Sequence, residues 1–82
     1  MNNKNLLSHF VSTAKHRYAL FTTAELETEL THKRNLAVRY ALRGEKDSIS
    51  YAWAIEALHL IEAELKVRRA YAKRQENRTA AL

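Results

Sequence analysis

An all-α fold follows from three features of the chain. Its last 35 residues, from Ser48 onward, contain neither glycine nor proline and are rich in Ala, Leu, Glu, Lys and Arg. Among all 82 residues Gly44 is the single glycine and proline is absent, which leaves few places for the turns a sheet needs. Apolar residues recur at i, i+3 and i+4 along most of the length. The expected architecture is a three-helix arrangement in one domain spanning residues 1–82. A short N-terminal helix joins an antiparallel helical hairpin, whose long C-terminal helix overhangs the bundle.

The first helix is expected over about residues 3–20. Leu7, Phe10, Val11, Ala14, Tyr18 and Phe21 form its apolar stripe, and Ser8, Ser12, Lys15 and His16 face away. Thr22-Thr23-Ala24-Glu25 then supplies a capping box, with Thr22 as N-cap and Glu25 three residues on. The second helix, about residues 23–43, buries Leu26, Leu30, Ala37, Tyr40 and Ala41. Its early acids Glu25, Glu27 and Glu29 and late bases Arg39 and Arg43 suit the helix dipole. Gly44 stands where a left-handed residue ends a helix, and Asp47 or Ser48 caps the next one.

The third helix, about residues 48–78, is the long one. A connection of about four residues makes helices two and three antiparallel, with facing residue numbers summing to roughly 91. At 1.5 Å per residue the third helix reaches ~50 Å against ~31 Å for the second, so the chain after about Arg69 projects past its neighbours.

Charge marks the same end. Residues 1–24 carry +3, residues 25–65 carry −3, and residues 66–82 carry +5 from six bases against Glu76. Lys66, Arg68, Arg69, Lys73, Arg74 and Arg78 surround the helix. Two readings fit them: a solvated end that offsets the helix dipole, or a contact site for nucleic acid or an acidic partner. Sequence-specific readout has little support, because no recognition-helix signature is present and a basic-region zipper would carry its bases ahead of its heptads.

The third helix is also apolar on two sides. Tyr51, Ala54, Leu58, Ile61 and Leu65 form one stripe that suits helices one and two. Ile49, Trp53, Leu60, Val67 and Tyr71 form a second. A helix apolar on two sides is normally buried on two sides. Either the first helix covers part of the second stripe, or the stripe is a protein interface, to another protein or to a second copy. Trp53 and Tyr71 have the large, stiff side chains that anchor such contacts.

Chemistry has little foothold. Cysteine is absent, which removes disulfides, thiol catalysis and thiolate-bound metal. A single glycine is too few for phosphate-cradling loops, and scattered Ser, Thr and His form no nucleophile constellation. Two Glu-x-x-His pairs, Glu29–His32 and Glu56–His59, have the spacing of carboxylate-bridged di-metal bundles, and Glu62 falls level with Glu29. On the helical wheel these side chains lie beside the apolar stripes and spread around two helices, so they are expected to be surface residues holding no metal. His9 and His16 are expected to be surface histidines as well.

No catalytic residue and no cofactor is expected. Nothing approaches ~18 consecutive apolar residues, and the N-terminal run lacks a signal-peptide core. Residues 1–24 are basic and amphipathic like an organellar transit segment but poorer in Arg and Ser, and an ordinary first helix explains them. The expectation is a cytoplasmic, non-enzymatic helical protein that acts as an adaptor, regulator or inhibitor by binding another protein through its third helix. The alternatives are nucleic-acid binding through the basic end and, third, a metal-binding bundle.

Overall fold

The computed structural model describes residues 3–80, with side chains from Ser8 onward. Leu7 of the first stripe and the extreme ends of the chain lie outside the described side chains. Three helices, α1 (Asn3–Ala19), α2 (Thr23–Leu42) and α3 (Ile49–Ala80), make up the fold, and the described residues contain no strand.

Local chemistry sets each boundary. At the start of α2 the Glu25 backbone N–H donates to the Thr22 hydroxyl at 3.1 Å, and the Thr22 N–H donates to the Glu25 carboxylate at 2.8 Å. This reciprocal pair satisfies two orphan donors of the helix terminus. At the other end Gly44 takes φ +74°, its N–H reaches the Ala41 carbonyl at 3.0 Å, and the Glu45 N–H reaches Tyr40 at 2.9 Å. Those two bonds form a Schellman motif, and the positive φ is what glycine supplies without a Cβ clash. Ser48 opens α3, its hydroxyl accepting from the Tyr51 N–H at 3.1 Å and donating to the Glu45 carbonyl at 2.8 Å.

α3 is the central element. It packs against both α1 and α2, which scarcely touch each other. α1 runs parallel to α3, since Phe10 lies against Trp53 and Ala19 against Arg68. α2 runs antiparallel, with Thr23 beside Arg68 and Arg34 beside Glu62. The core joins Ala14 and Tyr18 of α1, Leu26 of α2, and Ala57, Ile61 and Leu65 of α3, with Phe10, Phe21, Leu30 and Leu60 against its edges. Ala57 has no exposed surface, and its small side chain lets neighbouring helices approach at the middle of α3. Beyond Arg68 neither partner helix continues. Twelve residues, Arg69–Ala80, project about 18 Å past the bundle. The all-α arrangement with a long overhanging third helix is the one the sequence predicts.

Candidate interaction surface on α3

The second apolar stripe of α3 is divided by the end of α1. Its first half is covered: Trp53 stacks on Phe10 with ring centroids 5.4 Å apart and planes 13° from parallel, Leu60 packs on the core edge, and Ile49 is half-buried. Its second half is bare. Val67 and Tyr71 are each 60% exposed, and they continue the line that α1 occupies further back. The accessible part of this stripe is therefore Val67 and Tyr71, with Trp53 serving the attachment of α1.

The basic residues divide in the same way. Arg68 is held within the chain. Its Nε donates to Glu64 at 3.1 Å, Nη1 to the Thr23 hydroxyl at 3.2 Å, and Nη2 to the Ala19 carbonyl at 3.3 Å. One guanidinium thus joins all three helices at the α1–α2 turn, and it is not free for an outside ligand. Lys66, Arg69, Lys73, Arg74 and Arg78 are exposed. Lys66 and Arg69 border a groove between α2 and α3 with Leu30, Arg34 and Glu62, where Arg34 and Glu62 form a loose 3.9 Å pair. Arg74 and Arg78 flank Tyr71 and Gln75 on the overhang, over a shallow depression with no second wall.

An acidic groove lies beside the α1–α2 turn. Phe21, Ala24, Glu25, Thr28 and Glu29 line an open groove there. Its floor is apolar because Phe21 turns inward, meeting Tyr18 edge-on at 5.5 Å. Hydrogen bonds from the Thr22 backbone and side chain hold the Glu25 carboxyl below its ordinary pKa. Burial raises the Tyr18 phenol above its usual value, with the Glu29 charge adding to the shift. Leu20, in the turn itself, is 75% exposed. Neither this groove nor Leu20 stands out in the sequence: both depend on how the turn sets Phe21 and Leu20 against the first turns of α2.

The Glu-x-x-His pairs are scattered over the surface of the bundle. Glu29 pairs with Lys33 at 3.9 Å, Glu62 with Arg34, and His32 and His59 are exposed. Among the described residues no three acidic or histidine side chains converge on one point. No described helix is long and apolar enough to cross a membrane. No protein-family model, curated protein or solved structure matches the chain.

Proposed function

We propose that this chain is a non-enzymatic helical interaction protein, acting in the cytoplasm as an adaptor, regulator or inhibitor, whose working surface is the overhanging end of α3. The observation that carries the reading is the exposure of Tyr71 with four bases on twelve residues of helix that no other described element supports, with exposed Val67 adjoining them at the edge of the bundle. An isolated helix of that length is marginal in water, so docking supplies the stabilisation that the bundle does not. Tyr71 offers an apolar body with a polar tip, and the flanking Arg74 and Arg78 attract an acidic surface.

Nucleic-acid binding is the second reading. It is favoured by the exposure of Lys66, Arg69, Lys73, Arg74 and Arg78 around a projecting rod. The two readings separate on Tyr71. A photo-crosslinking residue at position 71 in the native host, compared with the same residue in a Val67→Asp background, tests the first. Its expected outcome is a discrete protein adduct that Val67→Asp removes. Nuclease-sensitive capture that ignores Val67→Asp but collapses in Lys73→Gln/Arg74→Gln/Arg78→Gln supports the second reading.

A further inference from the structure

The partner that α3 takes is, we infer, an acidic amphipathic helix of another protein, seated in the cleft between α1 and α3 and running out along the overhang from Leu60 to Arg78. This rests on the reading of α3 as a protein-binding surface, and it names the chemistry of the partner and the track it follows.

Two depressions that share one side of α3 define the track. The first, of about 200 Å³, lies between two helices, with Lys15 and Tyr18 of α1 facing Leu60, Ala63, Glu64 and Val67 of α3. The second is the shallow one on the overhang at Tyr71, Arg74 and Arg78. Helical spacing joins them. Leu60, Ala63, Val67, Ala70 and Arg74 recur at alternating steps of three and four residues. That spacing keeps them within about 80° of one another around α3, a seam of the kind a second helix follows. Tyr71 and Arg78 stand one turn beyond Val67 and Arg74 along its edge. Ala63 and Ala70 are exposed and small, so an incoming helix meets no bulk at those levels. From Leu60 to Arg78 the seam is about 27 Å long. The same side of α3 already seats one helix: α1 lies against Trp53 and ends at Ala19, which leaves the continuation open.

Charge along the track has one sign. Lys15 stands at its α1 end and Arg74 and Arg78 at its far end, all three exposed. Glu64, the one acid among the lining residues, is already bonded to Arg68 at 3.1 Å. A second copy offering the same track sets these bases against their own kind, whereas carboxylates beside a leucine-type seam meet them. The apolar seam favours protein over nucleic acid, because phosphate contacts need cations and have no use for Val67 or the two alanines. A specific interface buries ~1,200–2,000 Å² in total, more than Val67 and Tyr71 supply alone. The cleft beside α1 therefore belongs to the contact, and the matching helix carries an apolar seam at the same spacing with acids flanking it.

A designed peptide of about 18 residues, the length of the track, tests the arrangement. It carries leucines at the three-four spacing with glutamates flanking them. One control has lysine for every glutamate, and another scrambles the same composition. Fluorescence anisotropy of each labelled peptide is measured against the full chain. The glutamate peptide is expected to bind, and both controls to bind about tenfold more weakly or worse. Arg74→Glu/Arg78→Glu is expected to weaken the glutamate peptide by a similar factor, with Arg74→Gln/Arg78→Gln used instead if circular dichroism shows the overhang unwound. Arg39→Glu/Arg69→Glu makes the same charge change away from the track and is expected to alter binding no more than about twofold. Ala63→Arg adds a base but fills the seam, so it is expected to weaken binding; unchanged or tighter binding would show charge acting alone and overturn the inference. A glutamate peptide that does not bind, or one that an oligonucleotide displaces at equal concentration, overturns it too. So does a wild-type dimer in sedimentation that Ala63→Arg dissolves, which gives the seam to a second copy. If the peptide fails while position 71 still yields a Val67-dependent protein adduct, protein binding through α3 stands and only the acidic helix is lost. If neither is seen, both fall.

Discussion

Arg68 and Ala19 meet where α1 ends, the guanidinium Nη2 donating to the Ala19 carbonyl at 3.3 Å. Since the last carbonyls of a helix have no partner of their own, a cation placed there both caps α1 and offsets its dipole. The same group reaches Thr23 and Glu64, so the entry to α2 and the middle of α3 are fixed by one side chain. Arg68→Ala is expected to lower stability by about 1–2 kcal/mol, a range kept modest because the side chain remains partly in water. Arg68→Lys is expected to recover little, because an ammonium cannot reproduce the planar fork. Urea denaturation of the three proteins measures both. Any test of surface charge on α3 has to leave Arg68 in place.

The core is small enough that single truncations decide the fold. Ile61 has no exposed surface and belongs to the central cluster with Tyr18, Leu26 and Leu65. Ile61→Ala is expected to cost about 3 kcal/mol, a large share of the roughly 4–12 kcal/mol available to a domain of this size. Ala57→Leu is expected to destabilise by about 1–3 kcal/mol through overpacking, although it raises hydrophobicity and helix propensity little changes. Thermal melts followed by circular dichroism distinguish these from a helix-propensity effect, which is a few tenths of a kcal/mol.

Gly44 tests backbone conformation without a packing term. A Cβ there meets nothing within 4 Å, and φ is +74°. Gly44→Ala is expected to cost about 1 kcal/mol from the left-handed conformation alone, and Gly44→Asn less. Equal destabilisation by the two would mean that the turn had been rebuilt.

Helix boundaries and stripes were legible because they rest on local chemistry. Thr22 and Glu25 announce the start of α2, Gly44 announces its end, and Ala14, Tyr18, Leu26, Ile61 and Leu65 recur at the spacing of a buried face. The division of the second α3 stripe was not legible. Trp53 and Tyr71 look alike on a helical wheel, and only the length and parallel direction of α1 covers one and leaves the other bare. Arg68 was hidden for a similar reason. Its partners are one turn away on α3 and more than forty residues away at Thr23 and Ala19, so nothing in its own neighbourhood separates it from Arg69.

The capping box gives a pH dependence of known sign. Hydrogen bonds from Thr22 lower the Glu25 pKa in the folded state from its ordinary 4.5. The unfolded chain therefore takes up this proton first, and the stabilisation is complete above pH 4.5 and lost as pH falls through the lower folded value. Melting temperature followed from pH 6 downward is expected to drop less in Glu25→Gln than in the wild type. Thr22→Ala should remove only a minor part of that component, because the backbone N–H of residue 22, the main donor to the carboxylate, is retained. A fall of equal size in all three proteins would assign the acid sensitivity to other carboxylates.

Trp53 carries an internal conflict that mutation can expose. Its ring stacks on Phe10 and holds α1 to α3, yet its Nε1–H is buried with no hydrogen-bond partner among the described residues. An unmet buried donor costs about 1–3 kcal/mol. Phenylalanine keeps an aromatic face for Phe10 and discards that donor, so the lost apolar area and the relieved desolvation oppose each other. Trp53→Phe is expected to change stability by no more than about 1 kcal/mol. Trp53→Ala is expected to cost about 3 kcal/mol, since it removes the stacking surface and leaves a cavity beneath α1. Phe10→Ala uncovers the indole and is expected to shift its fluorescence to the red without unfolding α2 and α3. Denaturant titrations of the two Trp53 variants give the comparison directly. Equal losses in Trp53→Phe and Trp53→Ala would show that the indole N–H has a partner in solution and that the donor, rather than the ring, secures α1.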